Sequence, residues 1–218
     1  MKVSKMTKSI ARQILGSVLS KTTKMPCYSF NLSALHCKVG SKLAKIKNSV
    51  CFGCYALKGR YAQYKHPQKM MPKTERIKHP LWVNAMVYLL NNQGNQKDKN
   101  YFRWHDSGDI QDVDHLKKIV QVCKLTPHIM HWIPTREYSI VKEYMAKHGA
   151  FPDNLVVRLS AHMVDSKPPQ INNLPTSSVN KNKDFIGLQC QSYKNNNECG
   201  DCRLCWAPNV KNISYKYH

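Results

Sequence analysis

The sequence predicts an α/β fold, a partial (β/α) barrel, from two observations. Segments typical of strands alternate with segments typical of helices from residue 101 onward, and the strands start near residues 101, 129, 155 and 185. Strands joined by helices at this spacing pair in parallel through right-handed crossovers. Cysteine-rich segments flank the alternating region, so the predicted fold has a cysteine-rich segment at each end.

The individual elements follow from apolar periodicity and from turn residues. Four apolar runs predict strands: YFRWH (101–105), IMHWI (129–133), LVVRLS (155–160) and FIGLQ (185–189). The spacing of apolar residues predicts helices within 4–20, over 80–91, over 113–123 behind an Asp112 cap, and around 140–145 up to Gly149. Three prolines in segment 164–183 predict a long surface loop.

A single domain is expected for a chain of 218 residues, of which 42% are hydrophobic. Its parts are an N-terminal helix and cysteine-rich loop (1–60), an α/β core (80–190) and a cysteine-rich C-terminal segment (190–218). The longest apolar run (81–90) is too short to cross a bilayer, and the basic N-terminus lacks the continuous apolar region of a signal peptide. We therefore expect a cytoplasmic protein with no membrane partner.

The charge of the chain is strongly positive. It carries 34 basic and 13 acidic residues, a formal net charge of +21. Such an excess favours nucleic acid or another polyanion as a partner. The alternative is that the lysines only solvate loops, since they are spread along the chain and enrich stretches such as 91–100 and 180–183.

Eight of the nine cysteines fall into two groups. The first is Cys27, Cys37, Cys51 and Cys54, of which Cys27 is the least secure member; the second is Cys190, Cys199, Cys202 and Cys205. In a reducing compartment, grouped cysteines are more often metal ligands than disulfides. The ninth, Cys123, lies on the apolar face of a predicted helix and is expected in the core.

Two kinds of metal centre compete for these thiols. A structural zinc site takes four ligands, often as two CxxC pairs. The run CGDCRLC carries three cysteines at two-residue spacing, as ferredoxin-type sequences do, and zinc would leave one of them spare. The sequence therefore favours one or two [4Fe-4S] clusters, and zinc is the alternative cofactor. If the protein is redox active, we expect an electron donor as a partner. The predicted metal ligands are Cys37, Cys51, Cys54, Cys190, Cys199, Cys202 and Cys205.

Polar residues follow the predicted strands, where α/β folds place their binding sites. We expect cofactor contacts from Ser107, Gly108, Asp109, Thr135 and Arg136. The alternative for the first three is an ordinary strand–helix connection with a helix cap. Cys190 follows the fourth predicted strand, so both cysteine groups are expected at the same edge of the sheet. Tyr55, Tyr61 and Tyr64 either shield a cluster or stack bases.

Four segments of the chain, taken in order, resemble a known family. Residues 29–61 resemble the cysteine-rich start of the gene product 88-like phage proteins, and FRWHDSGDI (102–110) resembles their strand and SGD motif. IPTREYS (133–139) and CGDCRLCW (199–206) resemble their Thr-Arg strand end and their cysteine-rich end. The resemblance implies a phage-encoded protein that works in the host cytoplasm.

More distantly, the layout is similar to the radical SAM enzymes. That resemblance implies a radical-SAM-like barrel, a [4Fe-4S] cluster on Cys37, Cys51 and Cys54, and SAM as a further ligand. The spacing here is Cx13CxxC rather than CxxxCxxC, and no Gly-Gly-Glu segment follows the first strands. The sequence thus predicts an iron–sulfur protein with a redox or radical-type role, and leaves open whether it is an enzyme. The alternative is a zinc- or cluster-stabilised nucleic-acid-binding protein.

Overall fold

A parallel sheet forms the centre of the computed structural model, which describes residues 5–58 and 71–217. Within those residues the sheet has seven strands in the order β1-β2-β3-β4-β5-β7-β6, and each pair is parallel. The strands are β1 Tyr28–Phe30, β2 Tyr101–Trp104, β3 Met130–Thr135, β4 Leu155–Ser160, β5 Thr176–Asn180, β6 Leu188–Gln189 and β7 Asn212–Lys216. A mixed α/β chain with this sheet confirms the predicted partial (β/α) class.

The helices of the described residues lie mostly in the first two thirds of the chain. They are α1 Lys8–Leu15, α2 Lys38–Leu43, α3 Lys73–Arg76, α4 Trp82–Asn91, α5 Val113–Leu125 and α6 Tyr138–His148. Short 3-10 turns occupy Ala34–His36, Tyr55–Leu57, Ser192–Lys194 and Leu204–Trp206. The four helices expected from the sequence correspond to α1, α4, α5 and α6.

Local sequence signals fix the ends of these helices. The side chain of Asp112 accepts a hydrogen bond from the backbone N–H of His115 at 2.7 Å, which caps α5 as predicted. Gly16 ends α1 in the left-handed conformation, with φ of 76°, so the helix is shorter than the segment 4–20 in which it was expected. Gly149 ends α6, as predicted.

The two faces of the sheet are covered differently. Phe102 and Trp104 point to the side packed by α1, α4, α5 and α6, which we call the helical face. Tyr101 packs on the other side with Trp132 and Trp206, and we call this the opposite face. Because side chains alternate along a strand, Arg103 shares the opposite face with Tyr101.

One of the predicted strands is shorter than expected and does not lie beside β4. In FIGLQ only Leu188 and Gln189 form a strand, the short β6 at an edge of the sheet, while the real neighbour of β4 is β5, inside the predicted loop 164–183. The apolar signal is absent from β5 (TSSVN) because its buried hydroxyls bond across the sheet. Thr176 donates to the Asn212 side chain at 2.8 Å, and the Ser178 and Ser214 hydroxyls are 2.8 Å apart. The strands β1 and β7 were not predicted either.

No helix among the described residues is long and apolar enough to cross a membrane.

Candidate metal centres

The predicted SGD turn follows β2 and is fixed against the residue that follows β1. Leu32 donates its backbone N–H to the carbonyl of Ser107 at 3.0 Å, and the Ser107 hydroxyl donates to the carbonyl of Leu32 at 3.0 Å. Gly108 has φ of 85°, and a Cβ there would lie 2.6 Å from the Leu32 Cβ. Only glycine therefore permits this approach, which sets the position of Asp109.

Asp109 joins the turn to the end of β3. One carboxylate oxygen accepts from the Thr135 hydroxyl at 2.7 Å and from the Ile110 N–H at 2.8 Å, and the other accepts from the Arg136 N–H at 3.0 Å. Burial raises the pKa of Asp109 to about 6, and these hydrogen bonds oppose the rise. The structure thus brings Asp109, Thr135 and Arg136 together, as expected, and places Ser107 and Gly108 in the adjoining turn.

Cys37, Cys51 and Cys54 form one group beside this carboxylate. The loop that carries them is fixed to the carboxyl ends of β3 and β4. The N–H of Val39 donates to the Glu137 carboxylate at 2.8 Å, and the N–H of Val50 donates to the carbonyl of His162 at 3.0 Å. We call these three thiols the rim group.

The rim thiols interact with one another and with the charges at the sheet edge. Burial raises the pKa of Cys37 to about 12, and the nearby Asp109, Cys51 and Cys54 raise it further, whereas Arg136 lowers it. Burial also raises the pKa of Cys51, which Arg136 again lowers. A Cβ on Gly40 would lie 3.6 Å from the sulfur of Cys37 and 3.7 Å from that of Cys51, so both sulfurs border the same point.

The C-terminal cysteine run lies elsewhere, on the opposite face. Cys199 donates its N–H to the carbonyl of Lys24 at 3.2 Å, and Arg203 pairs with Asp98 at 3.1 Å, just before β2. The indole N–H of Trp206 donates to the carbonyl of Phe102 at 2.9 Å. These contacts fix the run near the amino ends of β1 and β2, so the structure separates the two cysteine segments that the sequence placed at one edge.

Arg158 is the buried anchor of the same run. Its guanidinium reaches the carbonyls of Thr176 and Val210 at 3.0 Å, Ala207 at 3.2 Å and Leu204 at 3.5 Å. Arg158 is fully buried, and these backbone carbonyls accept the hydrogen bonds that water would otherwise accept from its guanidinium. Arg158 therefore has a structural role, rather than the anion-binding role that a free guanidinium could have.

Cys27 belongs with the C-terminal thiols and not with the rim group. Its side chain is fully buried and packs with Trp132 and Trp206, and Cys205 packs against the same cluster. Burial raises the pKa of Cys27 to about 12, while Arg103 and Arg203 lower it and Cys199 raises it. The sequence grouping of Cys27 with Cys37 is therefore wrong, because Cys27 precedes β1 and Cys37 follows it.

All nine cysteines are free thiols. Cys123 is fully buried on the helical face, which confirms the expected core position. Over residues 5–58 and 71–217, no three His, Cys, Asp or Glu side chains are grouped as ligands of a single metal ion. Tyr55 places its hydroxyl on the carbonyl of Asp106, beside the rim group. Tyr61 and Tyr64 lie outside the described residues.

Arg103 is the residue that sequence reasoning missed. Its guanidinium lies 4.7 Å from the Trp132 ring, donates to the Met25 sulfur at 3.5 Å, and lowers the pKa of both Cys27 and Cys199 against the dominant effect of burial. The alternation in YFRW was the available signal, since it places the arginine on the face away from Phe102 and Trp104.

The fold and the two thiol groups define a parallel α/β protein with one group of cysteines at the carboxyl edge of the sheet and another near the amino ends of β1 and β2. The gene product 88 family matches residues 2–208, and the chain belongs to this phage protein family. This match supports the family resemblance seen in the sequence, whereas the more distant similarity to radical SAM enzymes is not supported. Neither the curated proteins nor the solved structures give a match.

Proposed function

We propose that this protein binds an iron–sulfur cluster, of the [4Fe-4S] type, through the rim group at the carboxyl edge of the sheet. The observation that carries the proposal is that Cys37 and Cys51 place their sulfurs around one point beside Gly40, while the N–H of Cys54 donates to the carbonyl of Cys51 at 3.1 Å. Thiolates are the usual ligands of such clusters. Three thiols would leave one iron without a cysteine ligand.

Open space beside the rim sulfurs supports such a group. Gly40 has no side chain, and a Cβ there would come within 3.0 Å of the Cys37 Cβ, so the glycine keeps the space beside the two sulfurs open. The Asp109 carboxylate already accepts three hydrogen bonds, so the thiols and not this carboxylate are the proposed ligands. Zinc is the alternative metal, and it needs all its ligands within about 2.3 Å of one centre.

The surrounding side chains suit an anionic ligand next to the cluster. Arg136 interacts with Cys37, Cys51 and Asp109, and its buried Nε has no hydrogen-bond partner among the described residues. A guanidinium binds carboxylate or phosphate oxygens through paired donors. The cluster, when bound, would supply electron transfer or an open iron, and Arg136 would hold an anionic ligand beside it.

Anaerobic purification followed by iron and sulfide analysis tests the proposal. We expect a brown protein whose iron content falls by about four atoms per chain when Cys54 is replaced by alanine. Cys123→Ala is the matched control, because Cys123 is a buried thiol away from the rim, and it should keep all the iron. A colourless protein that carries stoichiometric zinc would refute the proposal.

A radical-type role is the finer part of this proposal. It rests on the iron that the three rim thiols would leave without a cysteine ligand. Reduced, cluster-loaded protein incubated with SAM should then release 5′-deoxyadenosine, and Arg136→Leu should weaken the binding of SAM. An intact, reducible cluster that neither binds SAM nor yields this product would exclude the radical role and leave a redox role.

A second candidate, nucleic-acid binding, is favoured by the surface of the rim loop. Lys42, Lys45 and Lys47 are exposed there, next to the exposed rings of Phe52 and Tyr55. Positive charge interleaved with aromatic rings suits single-stranded nucleic acid.

A charge-reversal experiment tests this second candidate. We expect affinity for a single-stranded oligonucleotide to fall steeply with salt, and to fall further in a Lys42→Glu/Lys45→Glu/Lys47→Glu variant. Lys117→Glu/Lys124→Glu/Lys142→Glu, on the exposed sides of α5 and α6, is the control with the same change in charge. Equal losses in the two variants would argue against a site at the rim loop.

A further inference from the structure

Five sulfur atoms gather on the opposite face of the sheet, outside the rim group. Cys27 is buried with Trp132 and Trp206, Cys205 packs against the same cluster, and the N–H of Cys202 donates to the carbonyl of Cys199 at 3.0 Å. The sulfur of Cys199 also lies 4.0 Å from that of Met25, two residues from Cys27. The five thiols, which we call the inner group, are Cys27, Cys190, Cys199, Cys202 and Cys205.

The inner group is assembled from three separate stretches of chain. Cys27 comes from the segment before β1, and Cys190 follows β6 and donates its N–H to the carbonyl of Ser214 at 2.8 Å. Cys199, Cys202 and Cys205 come from the compact run that Arg203 and Arg158 hold in place. Tyr215, on β7, places its hydroxyl 3.3 Å from the sulfur of Cys205.

The register of the sheet separates the inner group from the rim group. Tyr28 is level with Phe102, so Cys27 is level with Tyr101 and Met130. Thr135, which binds Asp109 at the rim, lies five residues further along β3 than Met130. At about 3.3 Å per residue this is a separation of roughly 16 Å along the strand.

Three arginines and one carboxylate, that of Asp98, lie around the inner group. Arg103, Arg158 and Arg203 each lower the pKa of one or more of its thiols, although burial has the larger and opposite effect. The buried Nε of Arg103 has no hydrogen-bond partner among the described residues. A cluster with four thiolate ligands is an anion, so the guanidinium of Arg103 would offset part of the cost of its burial.

We propose that the inner group holds a second iron–sulfur cluster, fully ligated by four of its five thiols, and that Cys27 and Cys202 are two of the ligands. This inference rests on the proposed function to the extent that the protein is an iron–sulfur protein. A fully ligated cluster has no open iron, so the inner site would carry electrons or stabilise the fold. It would also join the segment before β1 to the C-terminal run.

Iron and sulfide counts on a set of variants test the second site. Reconstitution with ferrous iron and sulfide should give about eight irons in the unaltered protein. About four should remain in Cys27→Ala and in Cys202→Ala, and the same number in Cys54→Ala. Cys123→Ala should keep all of them. Cys202 is exposed, so its replacement removes a thiol without opening a cavity in the core.

Each other outcome separates the two proposals. About four irons in the unaltered protein, lost in Cys54→Ala and kept in Cys27→Ala and Cys202→Ala, would overturn the inner site and leave the rim site. The reverse pattern would overturn the rim site and leave the inner one. If Cys202→Ala lowers the iron count and a folded Cys27→Ala does not, Cys27 is not a ligand. Protein without iron and sulfide after reconstitution would refute both.

Discussion

Replacing Gly108 by alanine tests the close contact that positions the rim turn. The new Cβ would meet the Cβ of Leu32 at 2.6 Å, its carbonyl oxygen at 2.9 Å and its carbonyl carbon at 3.0 Å. These atoms belong to the backbone or are fixed to it, so no rotation of the Leu32 side chain relieves the overlap. The turn must move away, which strains the two hydrogen bonds between Ser107 and Leu32.

Two costs add in this variant. Alanine at positive φ costs about 1–2 kcal/mol, and an overlap in a packed interior costs about 1–3 kcal/mol. We therefore expect Gly108→Ala to lower the free energy of unfolding by roughly 2–5 kcal/mol. The displaced turn carries Asp109, so the proposed cluster site at the rim group should also retain less iron.

Gly149→Ala is the matched control. Gly149 also has positive φ, 78°, but a Cβ there would meet nothing within 4 Å. Alanine there incurs only the conformational cost, which is about 1–3 kcal/mol because ψ is −154° in addition to the positive φ. Urea unfolding followed by circular dichroism gives both values. Equal destabilisation by the two variants, with unchanged iron in Gly108→Ala, would refute the role assigned to the Leu32 contact.

Two further predictions concern stability. Burial, and to a lesser extent His128, lowers the pKa of His131 from 6.5 to about 3, so between these values the unfolded chain binds a proton that the folded chain does not. The free energy of unfolding should therefore fall as pH drops through this window, by on the order of 5 kcal/mol in total. Urea unfolding from pH 7 to 4 measures part of this fall. The fall should be smaller in His131→Leu and the same as in the unaltered protein in the exposed His148→Gln. Asp112→Ala removes the α5 cap and should lower the free energy of unfolding by about 1 kcal/mol, measured by thermal or urea unfolding. Asp114 makes no cap hydrogen bond, so Asp114→Ala should lower it by only a few tenths of a kcal/mol. Equal losses of stability in the two variants would contradict the capping role.

The sequence alone predicted the features that depend on local structure. The spacing of apolar residues gave three of the strands and four helices, and Asp112 and Gly149 marked helix ends where the structure has them. The strand-end residues Asp109, Thr135 and Arg136 were also predictable, because parallel strands bring their carboxyl ends to one edge. These features were predictable because residues close together along the chain determine where a helix or strand begins and ends.

Only the tertiary structure decided which cysteines meet. Cys27 and Cys37 are ten residues apart in the sequence, yet β1 lies between them and sends one to the inner group and the other to the rim group. The polar strand β5 could not be predicted from the sequence for the same reason. Its hydroxyls form hydrogen bonds with residues of β7, which are more than thirty residues away along the chain. Residue spacing fixes which thiols can share a turn, but the register of the sheet fixes which distant segments come together.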